Sequence, residues 1–225
     1  MTLRFKPSLQ IPDTGLIIGT ELYQNRHSTM RKPAFYKAIR RLIDEEKLIQ
    51  IDRDAFLPVG CEANNKAELE KIILSYYMDK QSGMYAKDSL LFQLGLINRK
   101  PAIVQIYSNR LLSQTRRIAH IQVKYKDIVF TENVQAILTC LEILDQHPRF
   151  DSLDPQGLRL MLTRYAKKYS DLTLGTILKR IRVRSATLYL FGQLLQELNL
   201  PNSFADTLEA PYRRPDLDLK KLLNG

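Results

Sequence analysis

The sequence predicts an α+β protein, with an N-terminal winged helix-turn-helix domain over residues 1–60 followed by a mixed domain over 61–225. Three observations predict it. Between Lys32 and Val59 a helix-like run leads into two short apolar runs separated only by Asp52, Arg53 and Asp54. From Pro101 the period changes to strand-like alternation, and from Glu132 it returns to the helical three and four. The second domain should therefore hold a small antiparallel sheet at about 101–130, a helical bundle at about 132–198 and an extended tail. At 225 residues and 44% apolar composition, the chain is long enough to bury the cores of two ordinary domains.

In chain order, Leu16–Gln24 (LIIGTELYQ) reads as a short apolar helix or strand, and Asn25–Pro33 as a polar break in which Ser28 or Thr29 would cap the next element. Phe35, Ala38, Ile39, Leu42 and Ile43 then recur at helical spacing, with Pro33 suited to a first helical turn. Leu48–Ile51 and Ala55–Val59 bracket the Asp-Arg-Asp turn as a hairpin. Gly60–Asn65 is the expected domain boundary, and fresh helical patterns follow at Lys66–Met78 and at Lys87–Leu94, the latter stopped by Gly95.

Two stretches, AIVQIY and RIAHIQVKYKDIVF, alternate apolar and polar residues and are rich in β-branched types, as strands are. Helical patterns cover Glu132–Asp145, Pro155–Lys168, Leu174–Ile181 and Ala186–Leu198, with Asp154 expected to cap before Pro155. From Pro201 onward, prolines and mixed charge predict an extended or partly disordered tail.

The formal charge of +10 and a sequence pI near 9.6 draw the chain toward polyanions: nucleic acid, an acidic surface or an acidic protein. The start, MTLRFKPSLQIPDTG, lacks the apolar core of a secretion signal, and no run reaches the ~18 apolar residues of a membrane span. Cytoplasmic residence without a membrane partner is the expectation. Cys61 and Cys140 lie far apart in or beside apolar runs and read as structural thiols. There is no phosphate-loop, nucleophile-elbow or HExxH signature, and His27, His120 and His147 fall in three separate segments. No enzyme activity, metal or cofactor is expected.

DNA contact is placed first on the helix before the hairpin. Arg31, Lys32, Lys37, Arg40 and Arg41 would reach the major groove or its phosphates, and Arg53 at the hairpin tip the adjoining backbone. The alternative is a solvated helix face balanced by Asp44, Glu45 and Glu46. Ten bases against seven acids leave residues 1–60 at only +3, so most of the excess lies further on. Arg99, Lys100, Arg110, Arg116, Arg117, Lys124 and Lys126 stand in a stretch free of acids, and Lys179, Arg180, Arg182 and Arg184 close a second basic run. These form a candidate second surface that could track a phosphate backbone or meet an acidic partner.

Three stretches resemble the AbiEi-like antitoxins and transcriptional regulators of bacterial abortive-infection (type IV) toxin–antitoxin systems. PAFYKAIRRLIDEEKLIQIDRDAFLPV resembles the family's helix and short hairpin leading to an aromatic and a proline, here Phe56 and Pro58. DSLLFQLGL (Asp88–Leu96) resembles the helix that opens the family's second domain, and PAIVQIYSN followed by RRIAHIQVKYK the strand pair after it. The match spans about residues 14–145. Two positions depart from the pattern: Arg53-Asp54-Ala55 replaces a common Arg-Gly pair, and Glu46 stands where glycine is usual. Asp52 and Asp54 beside Arg53 are expected to repel phosphate. The resemblance implies a winged helix that binds double-stranded DNA of its own promoter region and represses its operon. It further implies a C-terminal domain that counters a nucleotidyltransferase toxin without a tight complex. The alternative function is a protein- or RNA-interaction module that uses the basic C-terminal surface, with the winged helix as scaffold.

Overall fold

A computed structural model describes residues 9–61, 63–146, 155–203 and Leu219 of the chain. It is α+β, with eight helices and two small sheets among the described residues. The chain divides into two compact units. The first runs to Asp79 and takes in Arg117–Ile121; the second comprises Lys80–Arg116 and resumes at Gln122. The boundary expected at 60/61 thus falls inside the first unit.

The first unit begins with β1 (Ile17–Ile18) and α1 (Gly19–Arg26), so the Leu16–Gln24 segment is strand and helix in succession. Helix α2 (Lys32–Asp44), the hairpin β2 (Leu48–Asp52) and β3 (Ala55–Pro58), and α3 (Lys66–Met78) follow. The strands form an antiparallel sheet in the order β1-β3-β2, with Ile17 and Gln50 flanking Phe56. Phe35 and Ile39 of α2 pack with Ile17, Leu22, Leu48 and Phe56 to make the core. Each such side chain contributes about 1.5–3 kcal/mol on burial.

The cap expected from Ser28 or Thr29 is not used. Arg31 is the N-cap residue of α2, makes no side-chain cap bond, and Pro33 occupies the first turn, where a missing N–H costs nothing. The helix ends in a Schellman motif: Glu46 N–H donates to Ile43 O (3.0 Å) and Lys47 N–H to Leu42 O (2.8 Å), with Glu46 at φ +53°. At α3, Asn65 Oδ1 accepts from the amides of Ala67 and Glu68, both at 3.0 Å, and Glu68 Oε2 accepts from Asn64 N–H at 2.7 Å.

The second unit holds β4 (Gly83–Tyr85), α4 (Lys87–Gln93), β5 (Val104–Ser108) and the helices α5 (Glu132–Gln146), α6 (Pro155–Ala166), α7 (Asp171–Arg180) and α8 (Ser185–Glu197), while β6 (Thr115–Ile118) and β7 (Ile121–Tyr125) straddle the division, since Arg117–Ile121 belongs to the first unit. The sheet order is β4-β5-β7-β6, with β4 antiparallel to β5. The alternating stretch 117–130 is not one strand. Ala119, at φ +51°, turns the chain between β6 and β7, and Lys126–Phe130 leave the sheet. Helix α5 is the axis of this core, buried from Val134 to Leu144 on nearly every face and packed by α6, α7 and α8. Truncating Ile143, fully buried there, would cost about 2–5 kcal/mol. The expected Asp154 cap and His147 lie outside the described residues, as does all of the tail beyond Ser203 except Leu219, which is buried in this core.

Candidate nucleic-acid interface and a cationic cleft

The period that buries Phe35 and Ile39 forces the intervening residues of α2 outward. Lys32, Lys37, Arg40 and Arg41 are exposed, as is Arg31 just before them. Their side chains make no hydrogen bond or ion pair among the described residues. Lys37 and Arg41 are four residues apart, and Arg40 lies beside them, so the three share one outward face. The expected balancing acids are not engaged with these bases; among the described residues, Glu45 pairs with Lys47 at 2.7 Å.

At the hairpin tip, Arg53 is exposed while the acids on either side are occupied. Asp54 Oδ2 accepts from Thr20 N–H (3.1 Å) and Thr20 Oγ1–H (2.7 Å), and its Oδ1 accepts from the Tyr36 hydroxyl (3.1 Å). Asp54 also takes Gly19 N–H on its backbone carbonyl at 3.0 Å. It therefore caps α1 from a distance, because Ile18, the N-cap residue, has no side-chain acceptor. Glycine at 19 is a steric requirement of this cap, since a Cβ there would lie 2.3 Å from Asp54 Oδ1. Asp52 accepts from Arg53 N–H (2.6 Å) and Ala119 N–H (3.2 Å). Both carboxylates accept hydrogen bonds from backbone or hydroxyl donors, which orient them but leave the negative charge expected to repel phosphate.

The second set of bases is distributed over several elements. Exposed Arg99 and Lys100 line a 410 Å³ depression before β5 with Asp88 and Pro101. Arg110 and Arg116 are half-buried, and exposed Arg117 turns its Nε–H onto Ala119 O at 3.1 Å. Lys179 and Arg180 end α7, and Arg180 pairs with Asp127. Beyond them the KRIRVR run is extended: Ile181 is buried and Val183 half-buried, while Arg182 and Arg184 point out.

Three separate segments do converge. Lys87 at the start of α4, Lys126 just after β7, and Arg182 and Arg184 on the α7–α8 link line a 180 Å³ cleft over Tyr107 and Glu142. Lys126 Nζ sits 5.2 Å from the Tyr107 ring centre, a cation–π contact. The Tyr107 hydroxyl donates to Glu142 Oε1 at 2.6 Å, and Lys87 N–H to Glu142 Oε2 at 3.2 Å. Burial pushes the Glu142 carboxyl above its ordinary range, against the opposing pull of those two donors. Burial and then Glu142 raise the Tyr107 phenol likewise. Lys124 is held below its usual value, first by loss of solvent and then by the neighbouring ammonium groups of Lys87 and Lys126. Sequence reasoning missed Lys87, Glu142 and Asp145; a lysine beginning one helix and acids on another carry no local signal that they meet.

His27 Nε2 lies 3.2 Å from Gln10 O, and His120 Nε2 lies 2.8 Å from Glu70 Oε2, so each has a local partner. Among the described residues no group of three or more His, Cys, Asp or Glu could hold a metal ion. No helix among them is long and apolar enough to cross a membrane. No protein-family model and no curated protein matches this chain. Among solved structures, the crystal structure of the RV2827C protein from Mycobacterium tuberculosis is similar at 16% identity and a TM-score of 0.36, over 93% of this chain and 76% of that one. A likeness at that level carries no argument.

Proposed function

We propose that this protein is a DNA-binding regulator in which α2 enters the major groove and the β2–β3 hairpin acts as a wing. The observation that carries the reading is the outward face of α2, where Lys37, Arg40 and Arg41 are exposed with no acid partner among the described residues. Arg31 and Lys32 extend this face at the helix start, and Arg53 adds the wing contact. Cations held clear of acids at a helix surface are what phosphates and guanine edges need. The resemblance of three stretches to AbiEi-like antitoxins, from which Glu46 departs where glycine is usual, extends this reading. In that reading the target is double-stranded DNA of the protein's own promoter region, and the second unit counters a nucleotidyltransferase toxin functionally rather than in a tight complex.

The test is a fluorescence-anisotropy titration of the upstream duplex and a shuffled duplex over a range of salt. The wild-type protein is expected to prefer the upstream duplex, with log affinity falling by about 0.9 per phosphate neutralised for each unit of log salt. Arg40→Ala with Arg41→Ala should reduce that slope by about 1.8. An unchanged slope and affinity in the double variant would remove α2 from the interface.

A further inference from the structure

We propose that the cleft over Tyr107 and Glu142 in the second unit is a binding site for a phosphate group, held by Lys87, Lys126 and Arg182 and flanked by Lys124 and Arg184.

Four features carry this. Cations from three segments distant in sequence are brought to one concave place rather than dispersed over the surface. Lys87, Lys124, Lys126 and Arg182 make no ion pair among the described residues, and Arg184 alone reaches an acid, Asp145 at 3.4 Å. The acids at the cleft are already satisfied: Glu142 holds the Tyr107 hydroxyl and Lys87 N–H, and Asp145 holds the Thr187 hydroxyl at 2.9 Å. Finally, loss of solvent first, and then the neighbouring ammonium groups of Lys87 and Lys126, disfavour the charge on Lys124 beside the cleft. An anion among these cations adds attraction to each of them and offsets their mutual repulsion.

The chemistry of the cleft selects the ligand. A 180 Å³ cleft is ample for a tetrahedral oxyanion. Ammonium and guanidinium groups facing it offer donors without acceptors, which suits phosphate oxygens. The phosphate can belong to a small molecule or to a nucleic-acid backbone, and the two sources share this recognition. The inference does not rest on the DNA reading of α2, whose residues lie in the other unit.

The experiment is a two-dimensional ¹H–¹⁵N NMR titration of the full chain with inorganic phosphate, against chloride at matched ionic strength. Saturable shifts are expected at the amides of Lys87, Lys124–Lys126 and Ile181–Arg184. Lys126→Gln with Arg182→Gln should weaken binding by about tenfold or more, while Lys179→Gln, an exposed base outside the cleft, leaves it unchanged. Arg40→Ala/Arg41→Ala should also bind phosphate as wild type does, so failure of the DNA reading is separable. Unchanged spectral dispersion in each variant shows that the fold is intact. No saturable shift beyond that of chloride, shifts scattered over many lysines, or equal weakening by Lys179→Gln would overturn the proposal. Given binding, 5′-AMP that displaces phosphate while a duplex leaves these amides unmoved assigns a small-molecule source. A duplex that moves them, and whose salt slope falls in the Lys126→Gln/Arg182→Gln variant, assigns the nucleic-acid backbone.

Discussion

Replacing Asp54 with alanine should loosen the start of α1 and its tie to α2 together. The carboxylate accepts hydrogen bonds from Thr20 N–H at 3.1 Å, Thr20 Oγ1–H at 2.7 Å and Tyr36 Oη–H at 3.1 Å. Hydrogen bonds to a charged group each contribute about 1.5–3 kcal/mol. These three are part-buried, so water replaces some of what is lost, and loss of a helix cap alone costs about 1–2 kcal/mol. A net destabilisation of about 2–3 kcal/mol is expected. Amide hydrogen exchange reads it locally, because the Thr20 amide binds the side chain of Asp54 whereas the Gly19 amide binds its backbone carbonyl, which alanine keeps. At ~2 kcal/mol the Thr20 amide should exchange about thirtyfold faster, with Gly19 less affected. Gly19→Ala is a second route to the same defect, since its Cβ would displace Asp54 Oδ1. Thr20 exchange unchanged in Asp54→Ala, together with a urea midpoint shift worth less than about 0.5 kcal/mol, would refute the capping role.

Three further outcomes are expected. Glu46→Gly removes a side chain from a left-handed position at the end of α2 and should stabilise the chain by about 0.5–1 kcal/mol, read as a higher urea midpoint at constant slope; a lower midpoint would count against the Schellman geometry. Glu142 has a carboxyl raised in the folded chain, so the stability tied to its proton is fully present below the unfolded value of about 4.3 and is lost as pH rises through the folded value. The stability of Glu142→Gln relative to wild type should therefore climb with pH from about 4.3 until the folded value is passed. A difference that does not vary with pH in urea titrations would contradict it. Cys140 is fully buried and its thiol is pushed up by burial, whereas Cys61 is half-buried. A disulfide-exchange reagent should therefore consume the Cys61 thiol in the native protein and the Cys140 thiol only in denaturant; rapid native labelling of both would show an open core around α5.

Long, strongly periodic segments were legible in the residues. The apolar spacing of Phe35, Ala38, Ile39, Leu42 and Ile43 defined α2, the runs around Asp52–Asp54 defined the β2–β3 hairpin, and Lys66–Met78 matched α3 end to end. Strands of two and three residues, β1 and β4, are too short to show alternation. The β6–β7 turn was invisible for a different reason: Ala119 takes a positive φ without being a turn residue, so the neighbouring strands read as one.

The site divides in the same way. That Lys37, Arg40 and Arg41 face outward followed from helical period alone, because burying Phe35 and Ile39 leaves them no other direction. Period is a local property, so the sequence could determine the faces of single elements, the α+β class and the surplus of positive charge. The turning of Asp54 onto Thr20 and Tyr36, and the meeting of Lys87, Lys126 and Arg182 over Tyr107 and Glu142, are long-range contacts. Only tertiary structure decided those, since no local energy term tells which distant donors or cations a side chain will meet.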